Sequence, residues 1–283
     1  MRDLFFLTCG AFAGFAGATG PRGKGGLAPG RLSNTVAVAV RDDGSVVLVD
    51  AGWSAATCAD AARALGRTYA WLLGVRVRPE DAIATQLRAL GIAPSRVSAV
   101  VATHLHLDHV GGVEDFPDAE VVVAQAELKA YWGAPRDRGY RARDLARAGR
   151  IRAVALSATP TYGFPASADP FEDGQIVLLD ASGHTPGSIA VALRGPRGTY
   201  VHVGDAAYQR WEYGMSPPGP SLVARLTASS REGLSRTYAS LRSCEADPRR
   251  PVVVPSHDAE AFAALPHAPV ENPSTAVRPS SAR

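Results

Sequence analysis

Apolar positions along this chain follow two rhythms. Short apolar or alternating runs, bounded by Gly, Pro, Asp or Asn, read as strands at residues 4–8, 35–40, 45–50, 98–103 and 121–124. More follow at 152–156, 175–180, 188–193, 199–203 and 251–255. Asp42-Asp43-Gly44 is the turn that joins the second strand to the third. Apolar residues at helical spacing cover about 55–73, 80–90, 125–132 and 229–243, with a break at Val75 to Pro79. Residues 19–34 and 214–220, rich in Gly and Pro, read as loops, and 133–150 as a solvated loop or helix face. The Pro/Ser-rich stretch 270–283 reads as a frayed tail. Strand and helix blocks alternate with no linker between them. That predicts one mixed α/β domain over 1–269, built in layers.

Composition narrows the function classes. The chain has 283 residues, of which 46% are hydrophobic and 20% charged, enough to bury a large core. No apolar run approaches the ~20 residues that span a bilayer, so no membrane-spanning helix is expected. The net charge is +3, and Lys24 and Lys129 are the only lysines among 30 basic residues. No arginine cluster forms a stripe, so a nucleic-acid partner is not expected. Cys9, Cys58 and Cys244 are odd in number, widely spaced and without a Cys-x-x-Cys pair. They fit a reducing compartment, hence a cytoplasmic location. Leu4 to Leu7 and Ala16-Gly17-Ala18 sketch a secretory signal, but Asp3 is acidic and Cys9-Gly10 interrupts the apolar stretch. A first strand is the reading adopted.

The chemistry lies in Thr103-His104-Leu105-His106-Leu107-Asp108-His109, at the end of the strand 98–103. Side chains of an extended segment alternate, so His104, His106 and Asp108 can point one way while Leu105 and Leu107 anchor the loop in the core. His109 follows directly, and Gly111-Gly112 lets the backbone pass close by. Three imidazoles and a carboxylate within six residues suit borderline metals such as zinc. Further ligand candidates sit in matching contexts. His184 is presented by the turn Gly183 to Gly187, while Asp205 follows the strand 199–203 and His257 follows the strand 251–255. His202, inside a strand, reads as structural, and His267, among prolines near the tail, as exposed.

These residues resemble the metallo-β-lactamase fold superfamily: His-x-His-x-Asp-His at 104–109, then His184, Asp205 and His257 in the same order, over about residues 4–266. Asp50-Ala51-Gly52 is similar to the superfamily's Asp-x-Gly, with Ala51 where Thr is common. The resemblance implies a four-layer αβ/βα sandwich, two mixed β-sheets flanked by helices. It implies two divalent metal ions, zinc first, with manganese, iron or cobalt as alternatives. His104, His106 and His184 would bind one, and Asp108, His109 and His257 the other. Asp205 and a hydroxide would bridge them, and Asp50 would orient a ligating histidine. Two such ions with Asp108, Asp205 and hydroxide leave about one net positive charge, which favours an oxyanion beside them.

Within the superfamily, Gly204-Asp205-Ala206-Ala207-Tyr208 resembles the Asp-Ala-x-Tyr of N-acyl homoserine lactone lactonases. His257-Asp258 and the long N-terminal segment ahead of Asp50 resemble them as well. The implied reaction is opening of a small-molecule lactone by the bridging hydroxide. Tyr208 would assist the carbonyl oxygen and Asp108 would relay a proton to the leaving oxygen. The alternatives are a glyoxalase II-like thioesterase and a mononuclear iron sulfur dioxygenase. Trp132, Phe164, Trp211, Tyr213 and Met215 lie near the motifs as candidate pocket walls.

Overall fold

The computed structural model describes residues 1–20, 27, 29–133, 139, 140, 145 and 147–268. Among the described residues, twelve strands form two mixed sheets. The first sheet holds β1 (Asp3–Phe15), β2 (Pro29–Val40), β3 (Val46–Val49), β4 (Val75–Arg76), β5 (Val97–Val101), β6 (Glu120–Ala124) and β7 (Arg150–Val154). They lie in the order β4-β1-β2-β3-β5-β6-β7. The second holds β8 (Ser167–Ala168), β9 (Ile176–Asp180), β10 (Ile189–Gly195), β11 (Gly198–His202) and β12 (Val252–Val254), in the order β12-β11-β10-β9-β8.

The two-residue period of each strand makes the layers. Val47 and Val49 of β3 face one way and Val46 and Leu48 the other. The first pair joins Phe6, Val101, Val122, Leu178 and Val191 in the core between the sheets. The second pair packs with Ile83 and Leu87 of the helix Ile83–Ala89 on the outer face. On the far side, Val177, Leu179 and Val201 cover Leu234, Tyr238 and Leu241 of the helix Arg231–Glu245. The result is helix, sheet, sheet, helix, as the resemblance implied.

Several expectations needed correction. β2 begins at Pro29, so the loop expected over 19–34 is shorter, and residues 29–33 pair with β1 instead. The helical run 55–73 breaks into Ala55–Ala59, Ala61–Leu65 and Arg67–Leu72, with Ser54 and Asp60 each capping a new N-terminus. Helices at Arg210–Gly214 and Leu222–Thr227 carry no clear periodic signal in the sequence. Most of 133–150 and the whole tail 270–283 lie outside the described residues, but Tyr140 and Leu145 are buried in the core, so that stretch is not simply a solvated loop or helix face. No helix of the described residues is long and apolar enough to cross a membrane.

Candidate metal centre

Five segments meet at one edge of the sandwich. β3 and β5 run parallel, as do β11 and β12, so the carboxyl ends of each pair lie together. β3 delivers Asp50, β5 delivers His104 to His109, β11 delivers Asp205 and β12 delivers His257. The turn between β9 and β10 brings His184. The backbone at Gly204, just before Asp205, has φ +52°, and a Cβ there would lie 2.5 Å from Thr103 Oγ1. Only glycine lets the Asp205 loop close onto the histidine-rich loop.

All seven side chains named from sequence are buried and adjacent. In one group, His104, His106, His184 and Asp205, the potential ligand atoms lie within 4.8 Å of one another; Asp108, His109 and His257 make the second group on the same measure. Asp205 stands between them. Its Oδ1 is 3.0 Å from His257 Nε2 and 3.2 Å from His109 Nε2. Its Oδ2 is 3.5 Å from His184 Nε2 and 4.0 Å from His104 Nε2. His106 Nδ1 and His184 Nε2 are 3.1 Å apart. Two nitrogens on one tetrahedral zinc ion would sit roughly 3.3 Å apart.

Hydrogen bonds fix the rings from behind. His109 Nδ1 donates to Asp50 Oδ2 at 2.7 Å, and His257 Nδ1 donates to the Ser33 carbonyl at 2.7 Å. The Thr103 hydroxyl donates to Asp50 Oδ2 at 2.9 Å and lies 3.1 Å from His104 Nδ1, so it can accept from that ring. Each of these three rings thereby turns Nε2 towards the centre. His104 Nε2 and His109 Nε2 are buried and have no hydrogen-bond partner among the described residues. Orphaned polar atoms of this kind cost stability unless something binds them. A cation between these nitrogens and Asp205 would satisfy both, so the residues fit a metal.

The electrostatics agree. Burial, reinforced by His109, His106 and His184, holds His104 well below the usual imidazole range. Burial likewise lowers His184 to about 3. Both keep their lone pairs for a metal. Burial acts downward on His109 too, but the carboxylates of Asp108, Asp205 and Asp50 outweigh it and raise that ring well above its usual value. The second group thus lies in a negative potential that draws cations.

His202 takes the structural role expected of it. Its Nε2 donates to the Thr35 carbonyl at 3.0 Å, and its Nδ1 accepts from the Gly204 amide at 3.2 Å. His267 is exposed, as expected, and lies beside Phe262.

A cavity of about 480 Å³ opens on the centre, with His106, Asp108, Asp205, Tyr208 and His257 at its floor. Phe12, Leu32, Trp53, Leu73 and Val223 line its sides. None of the expected wall residues lines it. Phe164 and Tyr213 belong to the core outside the second sheet, and Trp132 is exposed. Tyr208 is buried, its hydroxyl 3.1 Å from Thr227 Oγ1 and its ring centroid 4.8 Å from that of His257. Burial raises its pKa well above that of free phenol, so it stays a proton donor.

Sequence reading missed three supporting residues. Asn34 Nδ2 donates to the Asp108 carbonyl at 2.9 Å and to Asp108 Oδ2 at 3.2 Å. Glu212 accepts from the Tyr208 amide at 2.7 Å and the Ser221 amide at 2.8 Å. Glu127 is fully buried beneath the histidine loops. Each looks like an ordinary polar position in sequence, and only the tertiary contacts single it out.

Residues 30–257 match the family model of the metallo-beta-lactamase superfamily. The chain belongs to that superfamily. It is 34% identical over 176 residues to the probable metallo-hydrolase Rv2300c of Mycobacterium tuberculosis, a match covering 60% of this chain and 56% of that one. The chain thus spans little more than half the length of that mycobacterial relative. It is 31% identical over 199 residues to the N-acyl homoserine lactonase AttM of Azorhizobium caulinodans, covering 68% of this chain and 70% of the relative. Among solved structures it is similar to B. thuringiensis AiiA with N-decanoyl-L-homoserine bound at the active site. The TM-score is 0.70 at 18% identity, over 92% of this chain and 94% of the other. At that identity the likeness speaks for the fold.

Proposed function

We propose that this protein is a metal-dependent hydrolase that opens the ring of an N-acyl homoserine lactone. The observation that carries the reading is Tyr208. It lies at the floor of an apolar cavity, beside the two histidine–aspartate groups. In this reading His104, His106 and His184 would hold one divalent ion and Asp108, His109 and His257 the other, with Asp205 within reach of both groups. Two such ions supply electrophilic charge and bring the pKa of water towards ~7.

The chain's own residues do the rest. The apolar sides of the cavity receive the acyl chain and exclude water from it, leaving the lactone carbonyl over the floor. Tyr208 donates its phenolic hydrogen to the carbonyl oxygen as negative charge develops there. Asp108, held by Asn34, accepts a proton from the attacking water and delivers it to the ring oxygen as the acyl C–O bond breaks. The product is a hydroxy acid. The AttM relative, a lactonase by name, supports the substrate class.

The alternatives fit less well. No Lys or Arg stands among the described residues that line the cavity, whereas a glutathione thioester brings carboxylates to be matched. A mononuclear iron dioxygenase leaves the second group of Asp108, His109 and His257 without a purpose.

The test is an assay of purified zinc-loaded protein on a panel of acyl homoserine lactones beside a glutathione thioester. Lactone opening that exceeds thioester cleavage supports the reading. Thioester cleavage alone overturns the substrate, and neither activity overturns the reaction class.

A further inference from the structure

We infer that Glu127 is a positioning residue that assembles the first metal group from two separate loops and controls how tightly that group holds its ion. The inference rests on the metal reading above, though not on the identity of the substrate.

Glu127 lies in the helix Gln125–Gly133, at the end of β6, and exposes none of its surface. No ligand motif contains it, yet its carboxylate accepts at both oxygens from the segments around the site. Oε1 accepts from the Leu105 amide at 2.9 Å and from the Tyr140 hydroxyl at 2.9 Å. Oε2 accepts from the Thr185 hydroxyl at 2.7 Å and the Gly187 amide at 3.1 Å. Leu105 stands between His104 and His106, and Thr185 follows His184. One side chain therefore ties together the two loops that supply all three imidazoles of the first group. The Tyr140 ring packs on the His106 ring with centroids 5.3 Å apart, so the same carboxylate also seats a flanking wall.

The backbone confirms how closely the His184 loop is seated here. A Cβ on Gly187 would lie 2.0 Å from the Glu127 nitrogen. The loop can reach the carboxylate because glycine leaves room for it. None of the donors to Glu127 comes from Asp108, His109 or His257. Its influence should fall on one group and spare the other, whereas a general loss of packing would weaken both.

Glu127→Gln separates these cases. The substitution keeps the shape, but an amide places its NH2 where two donors already point. The hydroxyl of Tyr140 or Thr185 can turn; the amide of Leu105 or Gly187 cannot, so one loop must shift.

Zinc affinity is measured by chelator competition in two backgrounds: His257→Ala, which leaves the first group whole, and His184→Ala, which leaves the second whole. Glu127→Gln is expected to weaken zinc about 10–100-fold in the first background and less than about twofold in the second. Equal weakening in both, or no change in either, overturns the inference. Should Glu127→Gln not fold, Thr185→Val removes one donor with little change in volume. It should then weaken the first group several-fold and leave the second unchanged; any other pattern overturns the inference. These readouts need no substrate, so a failure of the lactonase reading leaves them standing. A wild-type chain that takes up fewer than two zinc ions overturns the metal reading and this inference together.

Discussion

Asp50 Oδ2 lies 2.7 Å from His109 Nδ1, and through the Thr103 hydroxyl, 2.9 Å away, the same oxygen reaches the ring of His104. One carboxylate at the end of β3 thus orients an imidazole in each metal group. Asp50 itself has φ +62°, a left-handed backbone that Asp and Asn tolerate better than most side chains. Asp50→Asn keeps that backbone but turns an amide NH2 towards either Thr103 or His109. Zinc affinity, followed by chelator competition, should fall about 10–100-fold. An unchanged affinity would mean that Asp50 serves only the turn.

Tyr208→Phe tests the proposed donor. The Thr227 hydroxyl lies 3.0 Å from the Val223 carbonyl, to which it can donate, so its oxygen is free to accept the phenolic hydrogen of Tyr208. The phenol is thereby held ready at the cavity floor. Loss of one oxyanion donor should lower kcat for an acyl homoserine lactone about 10²-fold while KM moves by less than about threefold. A large rise in KM with kcat intact would make Tyr208 a wall of the cavity and remove it from the chemistry.

The sites legible in sequence and those that were not differ for a physical reason. His104 to His109 form a run whose spacing is itself chemical information, and His184, Asp205 and His257 follow strand-like segments. The structure brings all seven together. Asp50 was legible through the resemblance of Asp50-Ala51-Gly52 to the superfamily's Asp-x-Gly. Asn34 was not, because the Gly/Pro composition of 19–34 read as loop, whereas β2 starts at Pro29 and carries Asn34 to Asp108. Cavity walls were misjudged because nearness in sequence to a motif says nothing about which side of a sheet a ring occupies. Phe164 packs behind the second sheet, while Phe12 and Trp53, from distant segments, meet at the cavity with ring centroids 5.3 Å apart. The four-layer order was legible only through the superfamily resemblance: Val46 to Val49 are all apolar, and it is the structure that assigns Val47 and Val49 to the core between the sheets and Val46 and Leu48 to the outer face.

The acyl chain should be sensitive to the cavity sides. Val223 is partly buried on the helix Leu222–Thr227 and lines the cavity. Val223→Trp adds bulk there at a residue that belongs to neither histidine group. For a decanoyl homoserine lactone KM should rise about tenfold or more, while for a butanoyl one it should stay within about threefold. Steady-state kinetics on the two substrates would show it, and an equal effect on both would place the acyl chain elsewhere.

Asp115 offers a pH dependence away from the metals. Its Oδ2 accepts from the Ala55 amide at 2.7 Å, joining the segment after Asp50 to the one after His109. Burial raises its pKa to about 6. A carboxyl whose folded pKa lies above its unfolded value of about 3.9 binds more protons when folded, so its contribution to stability falls as pH rises between about 4 and 6. Asp115→Asn removes that loss. Relative to wild type its Tm should therefore climb across that interval and level off above about pH 7. A constant difference in Tm across the range would contradict the assignment.

The most direct test of a two-ion lactone hydrolase is to strip the protein of metal and add zinc stepwise while following both uptake and the opening of an acyl homoserine lactone. Activity that rises with uptake and breaks at two zinc ions per chain is the predicted result. Full activity at one ion per chain, or two ions bound with no lactone opened, would contradict it.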